Sequence, residues 1–164
     1  MPKIFIIIIL LMNFLTACGA ANTVVEQVQT NLTEDVLNML QSIQSYEANI
    51  EMHFISNRGV NIYEMIETET SIEIISPESL KGNTIALREN GNTILSNFLL
   101  MLEQIPKTVE TVAETTEITL TVNISPYIHT QILTVENKEL KSLISYDVNG
   151  EPRMKIFFSS INFY

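Results

Sequence analysis

The chain has 164 residues, 46% of them hydrophobic, and carries Lys+Arg 9 against Asp+Glu 19, a formal net charge of -10. That much apolar content is enough for one packed domain, and the acidic balance excludes the basic footprint of a nucleic-acid binder. A solitary cysteine, Cys18, excludes an internal disulfide, so stability has to come from the core alone.

Lys3 makes the start of the chain positive, and Ile4 to Leu15 is then apolar except for Asn13. A helix that crosses a bilayer needs about 20 apolar residues. This run is shorter and fits the apolar core of a secretory signal peptide, roughly 7–15 residues long. Leu15-Thr16-Ala17-Cys18 follows directly and resembles the bacterial lipobox. The resemblance implies transfer of a diacylglyceryl group (palmitate or a similar acyl chain) to the Cys18 thiol and cleavage just before it. Residues 1–17 are then the signal peptide and Cys18 is the first mature residue. The competing readings are an incidental cysteine in an ordinary signal peptide and a buried thiol in a core helix. The latter needs polar punctuation that Ile4 to Met12 lacks. Two acyl chains hold a protein on a membrane where one does not. The expected location is therefore the outer face of the cell membrane, held there by lipid, since an acidic body is repelled by anionic headgroups. Residues 18–31 read as a tether, and 32–164 as the folded domain.

The domain opens with a predicted helix from Thr33 to about Gln44. Thr33 is the expected cap, Glu34 and Asp35 suit the positive end of the dipole, and Leu32 with Leu37 form a candidate staple. Val36, Leu37, Leu40 and Ile43 share one face at helical spacing. The period then changes to two. From Tyr46 to Phe54 the apolar residues Tyr46, Ala48, Ile50, Met52 and Phe54 alternate with Glu47, Asn49, Glu51 and His53, which predicts a half-buried strand. Asn57-Arg58-Gly59 turns into a second strand over Val60–Glu67, and Thr70–Ile75 makes a third, closed by "SPESLKG". Asn90-Gly91 between two apolar runs predicts a hairpin whose arms are Asn83–Glu89 and Thr93–Asn97. Phe98–Thr116 reads as a loop with a short helix. Strands follow at Glu117–Ile124, His129–Val135, Leu140–Asp147 and Arg153–Phe158, joined by "SPY", "ENKE" and "VNGE". Short strands with tight turns at this spacing form an antiparallel meander. One helix on such a sheet is an α+β fold.

The search for chemistry finds little. His53 and His129 lie on separate strands, and a zinc site needs three or four converging ligands. No phosphate-binding loop or nucleophile elbow is present, and Ser76 and Ser125 precede prolines as turn residues do. Glu64, Glu67, Glu69 and Glu73 form the densest acidic group, which either makes an acidic patch for a basic partner or, the favoured reading, solvates a sheet face. The inner face of the sheet is expected to carry Ile50, Met52 and Phe54, with Ile72 and Ile74 if the registers agree. Such a face either closes on the helix as core, the commoner case, or leaves a slot for acyl chains. No catalytic residue, metal ligand or cofactor is assigned.

Several stretches carry a family resemblance. "LNMLQSIQSYEANIEMHF" follows the lipobox. Ile74, Pro77, Leu80 and Gly82 fit Ile-x-x-Pro-x-x-Leu-x-Gly, followed by Asn90-Gly91. Tyr146, Asp147, Gly150 and Arg153 fit Tyr-Asp-x-x-Gly-x-x-Arg. Together they resemble the LolA-like lipoproteins of Gram-positive bacteria, and within them the GerS-like germination lipoproteins of spore formers. The resemblance implies an open half-barrel sheet wrapped around a helix. It also implies a non-enzymatic protein that binds and supports a cortex or cell-wall amidase of the CwlD type during germination. The alternative it carries is a binder or carrier of lipid or lipoprotein acyl chains in the concave face. Homodimer formation stays open.

Overall fold

The computed structural model describes residues 32–86, 93–125 and 128–164. The signal peptide, Cys18 and the tether lie outside them. So do residues 87–92, including Asn90-Gly91.

The described residues form one nine-stranded sheet: β1 (Tyr46–Ser56), β2 (Gly59–Thr68), β3 (Ser71–Ser76), β4 (Thr84–Ala86), β5 (Lys107–Val112), β6 (Thr115–Ser125), β7 (Ile128–Glu136), β8 (Glu139–Tyr146) and β9 (Pro152–Phe163). Their order is β4-β3-β2-β1-β9-β8-β7-β6-β5, every neighbouring pair is antiparallel, and the two edges do not meet. Two helices, α1 (32–41) and α2 (Ile94–Gln104), pack on one face. This is the open antiparallel α+β arrangement expected from the sequence.

Register explains the core. Ile50 faces Met65 and Phe158, Met65 faces Ile74, and Leu143 lies between Leu133 and Ile156. Because side chains alternate along each strand, these residues point to the same face, and all of them are buried with Val36 and Leu40 of α1 and Leu95, Phe98, Met101 and Leu102 of α2. Leu37 and Ile43 pack at the margin, so the apolar stripe of α1 is the one read from its spacing. Register shifts beside Ile50 and in the β2–β3, β6–β7, β7–β8 and β8–β9 pairs mark bulges, which increase local twist and bend the sheet.

The two sequence signatures are turn locks. Asp147 Oδ1 accepts the backbone N–H of Asn149 (2.8 Å) and Glu151 (3.0 Å), while Oδ2 accepts Arg153 Nε (2.8 Å) and pairs with its Nη2. Arg153 and those two amides hold the Asp147 carboxyl below the usual carboxylate range. Gly150 sits at φ 79°, where a side chain would be strained. In the other signature a cis Ser76–Pro77 peptide leads into a 3-10 turn (Glu78–Leu80). The chain then folds back so that Gly82 N–H donates to Ile74 O (2.9 Å) and Ile74 N–H to Asn83 O (3.0 Å).

Three expectations change. The helix is already under way at residue 32, so Thr33 does not cap it and Leu32 does not precede the cap. The Thr33 hydroxyl instead meets that of Thr111 at 2.7 Å, tying α1 to β5. Thr93–Asn97 is not a hairpin arm but the start of α2, because Leu95, Phe98, Met101 and Leu102 at helical spacing fill the core and tertiary burial outweighs the turn cue. The stretch Phe98–Thr116, read as a loop with a short helix, does hold helix, most of α2, but its remainder is edge strand β5 rather than loop, separated at Ile105-Pro106.

Phe98 is fully buried at the centre of this core. Phe98→Ala is expected to lower the unfolding free energy by about 3–5 kcal/mol, measured by urea unfolding of the domain. A loss under about 1 kcal/mol would mean that α2 does not fill the sheet.

Candidate functional site

The most constrained polar group is a glutamate inside the core. Strand β2 alternates, and Tyr63, Met65 and Glu67 share its inward face, which brings Glu67 to 1% exposure under the start of α2. Its Oε1 accepts the Leu95 backbone N–H at 2.7 Å and the Tyr46 phenol at 2.8 Å. The phenol oxygen in turn accepts Ser96 N–H (3.2 Å) and meets the Thr93 hydroxyl at 2.6 Å. Thr93 is the N-cap of α2, but its side chain makes no capping bond. Two orphan N–H groups of the first turn, those of Leu95 and Ser96, are satisfied from β2 and β1, and the carboxyl lies at the positive end of the helix dipole. Burial lifts the Glu67 carboxyl above its ordinary range, against the pull of Leu95 N–H and the Tyr46 and Thr93 hydroxyls. Burial, with the Glu67 charge second, raises the Tyr46 phenol likewise. Glu67 Oε2 has no partner among the described residues. The expectation that Glu67 solvates a sheet face is thus wrong. Strand parity with Tyr63 and Met65 was the signal for its inward position.

The five predicted lining residues divide by height along the strands. Ile50 and Ile74 are closed into the core, and Met52 and Ile72 pack at its edge. Phe54, further along β1, is 49% exposed. The registers do agree, with Ile50 beside Met65 and Met65 beside Ile74, and Ile72 beside Glu67. Beyond Met52 the inner face opens into a cleft of about 430 Å³, lined by Phe54, Ile55, Arg58, Ile128 and Met154 among others. Pockets for small ligands run from roughly 300 to 1,000 Å³.

The outer face carries His53. Its Nε2 lies 2.6 Å from Glu51 Oε1, and its ring meets Phe157 edge-on at 5.3 Å. The ring is a sheltered contact on the outer face. Among the described residues no group of three or more His, Cys, Asp or Glu side chains is placed to hold a metal, and no helix is long and apolar enough to cross a membrane. The inner face thus carries an organising carboxyl at one end and an apolar opening at the other.

No protein-family model matches the chain, and no curated protein is significantly similar to it. Among solved structures, an uncharacterized conserved protein from Thermus thermophilus superposes with a TM-score of 0.50 at 9% identity, covering 80% of this chain and 86% of that one. A chain in the structure of the CwlD amidase from Clostridioides difficile in complex with the GerS lipoprotein gives a TM-score of 0.47 at 17% identity, with 83% and 96% covered. A LolA superfamily protein from Nitrosomonas europaea gives 0.41 at 12%, with 80% and 93% covered. At 9% identity the first is a likeness of fold alone, and the weaker superpositions of the other two add nothing to it. The fold itself, an open nine-stranded antiparallel sheet with helices on its inner face, is the arrangement that the resemblance to LolA-like lipoproteins implies.

Removing the Tyr46 hydroxyl leaves Ser96 N–H, Thr93 and Glu67 short of a partner, so Tyr46→Phe is expected to cost about 1–3 kcal/mol in urea unfolding. The raised Glu67 pKa means that the folded state prefers the proton. This contribution is complete below the unfolded value and is lost as pH rises through the folded one. Glu67→Gln mimics the protonated form. The stability of the variant relative to wild type is therefore expected to improve steadily from pH 4 to pH 8. A pH-independent difference would show that Glu67 is not the group titrating.

Proposed function

We propose that the chain is a lipid-anchored, non-enzymatic binding module of the GerS-like kind, which holds a cortex or cell-wall amidase of the CwlD type at the outer face of the membrane during germination. The lipobox at Leu15–Cys18 supports the anchor, and the Asp147–Arg153 and Ile74–Gly82 signatures support the family resemblance. The observation that carries the choice of function is the state of the inner face. A carrier of acyl chains needs an empty slot there, whereas Phe98, Leu95 and Leu102 of α2 and Leu40 of α1 fill it, and Ile50 and Ile74 are core. What a sealed sheet offers a partner is surface.

One observation favours the second reading, an acyl-chain binder. The cleft beside Phe54, Ile128 and Met154 is apolar, concave and open. It is confined to one end of the sheet, so it suits a single ligand tail rather than a cargo held along the whole inner face.

Membrane-fraction protein is expected to have the intact mass of a chain starting at Cys18 plus a diacylglyceryl group, and Cys18→Ala is expected to abolish that species. An unlipidated chain that keeps its leader would overturn the anchor. Detergent-solubilised wild type is expected to co-purify with the amidase. Stoichiometric bound lipid in its place would select the second reading.

A further inference from the structure

The two ends of the sheet differ. At one end lie Tyr46, the turns at 113–114 and 137–138, and both helices: Asp35 of α1 pairs with Lys138 at 3.0 Å, and α2 is held by Glu67 and Tyr46. At the other end β1 and β2 run on to their turn with neither described helix tied to them. There Phe54 is 49%, Val60 54% and Ile62 51% exposed. Strand parity puts Phe54 on the inner face and Val60 and Ile62 on the outer one, so the hairpin tip is apolar on both sides. Single exposed apolar residues are ordinary, but a cluster rimmed by polar groups marks an interaction site.

Charge and position say what covers it. In a chain of net charge -10, Arg58 at the turn makes no ion pair among the described residues. Arg58 lines the cleft with Phe54, Ile55, Ile128 and Met154. An isologous second copy that met this one tip to tip would bring two Arg58 guanidinium groups into one small interface. The described chain begins at residue 32, at the opposite end, and the eleven residues of β1 put about 35 Å between the two ends. If the anchor lies upstream of residue 32, the tip is the part of the domain furthest from the lipid.

We infer that the β1–β2 hairpin tip, with the cleft beside it, is the surface that docks the partner, and that it fits a protein presenting an apolar hollow rimmed by carboxylates. The inference rests on the amidase-binding reading. Phe54 and Ile62 grip from the two faces of the hairpin, and Arg58 supplies the charge that sets orientation. Central apolar and arginine anchors of this kind carry most of an interface's energy.

The test is the affinity of the full-length lipoprotein for a CwlD-type amidase. The double variant Phe54→Ser/Ile62→Ser is expected to bind at least about thirtyfold more weakly. Arg58→Glu is expected to bind about tenfold more weakly, and Val112→Ser, at the far end, to bind as wild type does. Full affinity in the tip variants, with wild type binding, would overturn the docking surface and leave the amidase reading standing. No binding by wild type would overturn both. A photo-cross-linking residue at position 62 of an otherwise native chain guards against misfolded variants. An amidase adduct is expected, and an adduct with a second copy of the chain would overturn the inference.

Discussion

A carboxyl group inside the core decides how this molecule is built. Helix α2 supplies much of the packing, yet its first turn has no cap of its own: Thr93 holds the right position and turns its hydroxyl to Tyr46 instead. Unsatisfied N–H groups at a buried helix start cost about as much as lost hydrogen bonds. They are met by Glu67 and Tyr46, whose places are set by the pleat of β1 and β2. The helix therefore has one seat on the sheet. Apolar packing alone would accept several rotations of α2, whereas a carboxylate 2.7 Å from the Leu95 N–H accepts one. The ionised group loses hydration at that site, which is why its proton affinity rises. The loss is offset by the bonds that fix the helix and by the dipole facing it.

From that seat the division of the sheet into two ends follows. With α2 fixed over Met65, Ile74 and Ile50, and α1 tied to β5 and the β7–β8 turn, both helices cover the same end. The opposite end of β1 and β2 extends past them, and burial fades along a single strand: Tyr46, Ala48 and Ile50 are buried, Met52 is half-buried and Phe54 is exposed. The turn locks contribute in the same way. Asp147 binds two backbone amides and the Arg153 guanidinium, and these groups are used up in holding the β8–β9 turn. The residues with the most recognisable spacing are thus structural, and the surface left for recognition comes from residues with no motif at all.

This explains which parts were legible in the sequence. The alternation of Tyr46–Phe54 and the 3.6-residue stripe of Val36, Leu37, Leu40 and Ile43 are local patterns, and strand β1 and the buried face of α1 appear where they predict. The antiparallel meander from β6 to β9 was readable for the same reason. The α2 region was not. Asn90-Gly91 is a strong local cue, but Leu95, Phe98, Met101 and Leu102 form one apolar face only if the chain is helical, and that face is rewarded only by a sheet built from distant strands. Edge strand β5 is mostly exposed and has a period too weak to see. Glu67 was misplaced by its chemistry. A glutamate reads as surface unless its partners are known, and these come from β1 and from a helix whose start is 27 positions away, at Ile94. Of the proposed lining, strand parity placed all five residues on one face. The extent of burial along that face depends on where the helices end, which parity does not encode.

An exposed apolar tip on an open sheet is also a hazard, since unpaired strand edges and bare apolar residues invite association. The features that contain it are visible. Edge strand β5 exposes Lys107 and Glu110, charges that hinder edge-to-edge pairing. The bulges bend the sheet away from the flat form that stacks. Glu51 and Glu64 face each other across β1 and β2, a like-charge pair that weakens the sheet slightly. That pair lies two residues from Ile62, so a second acidic copy approaching the outer face meets repulsion before it reaches the apolar residues. A partner carrying the opposite balance at that flank meets none. The acidic net charge thus adds repulsion between copies of the chain at that flank.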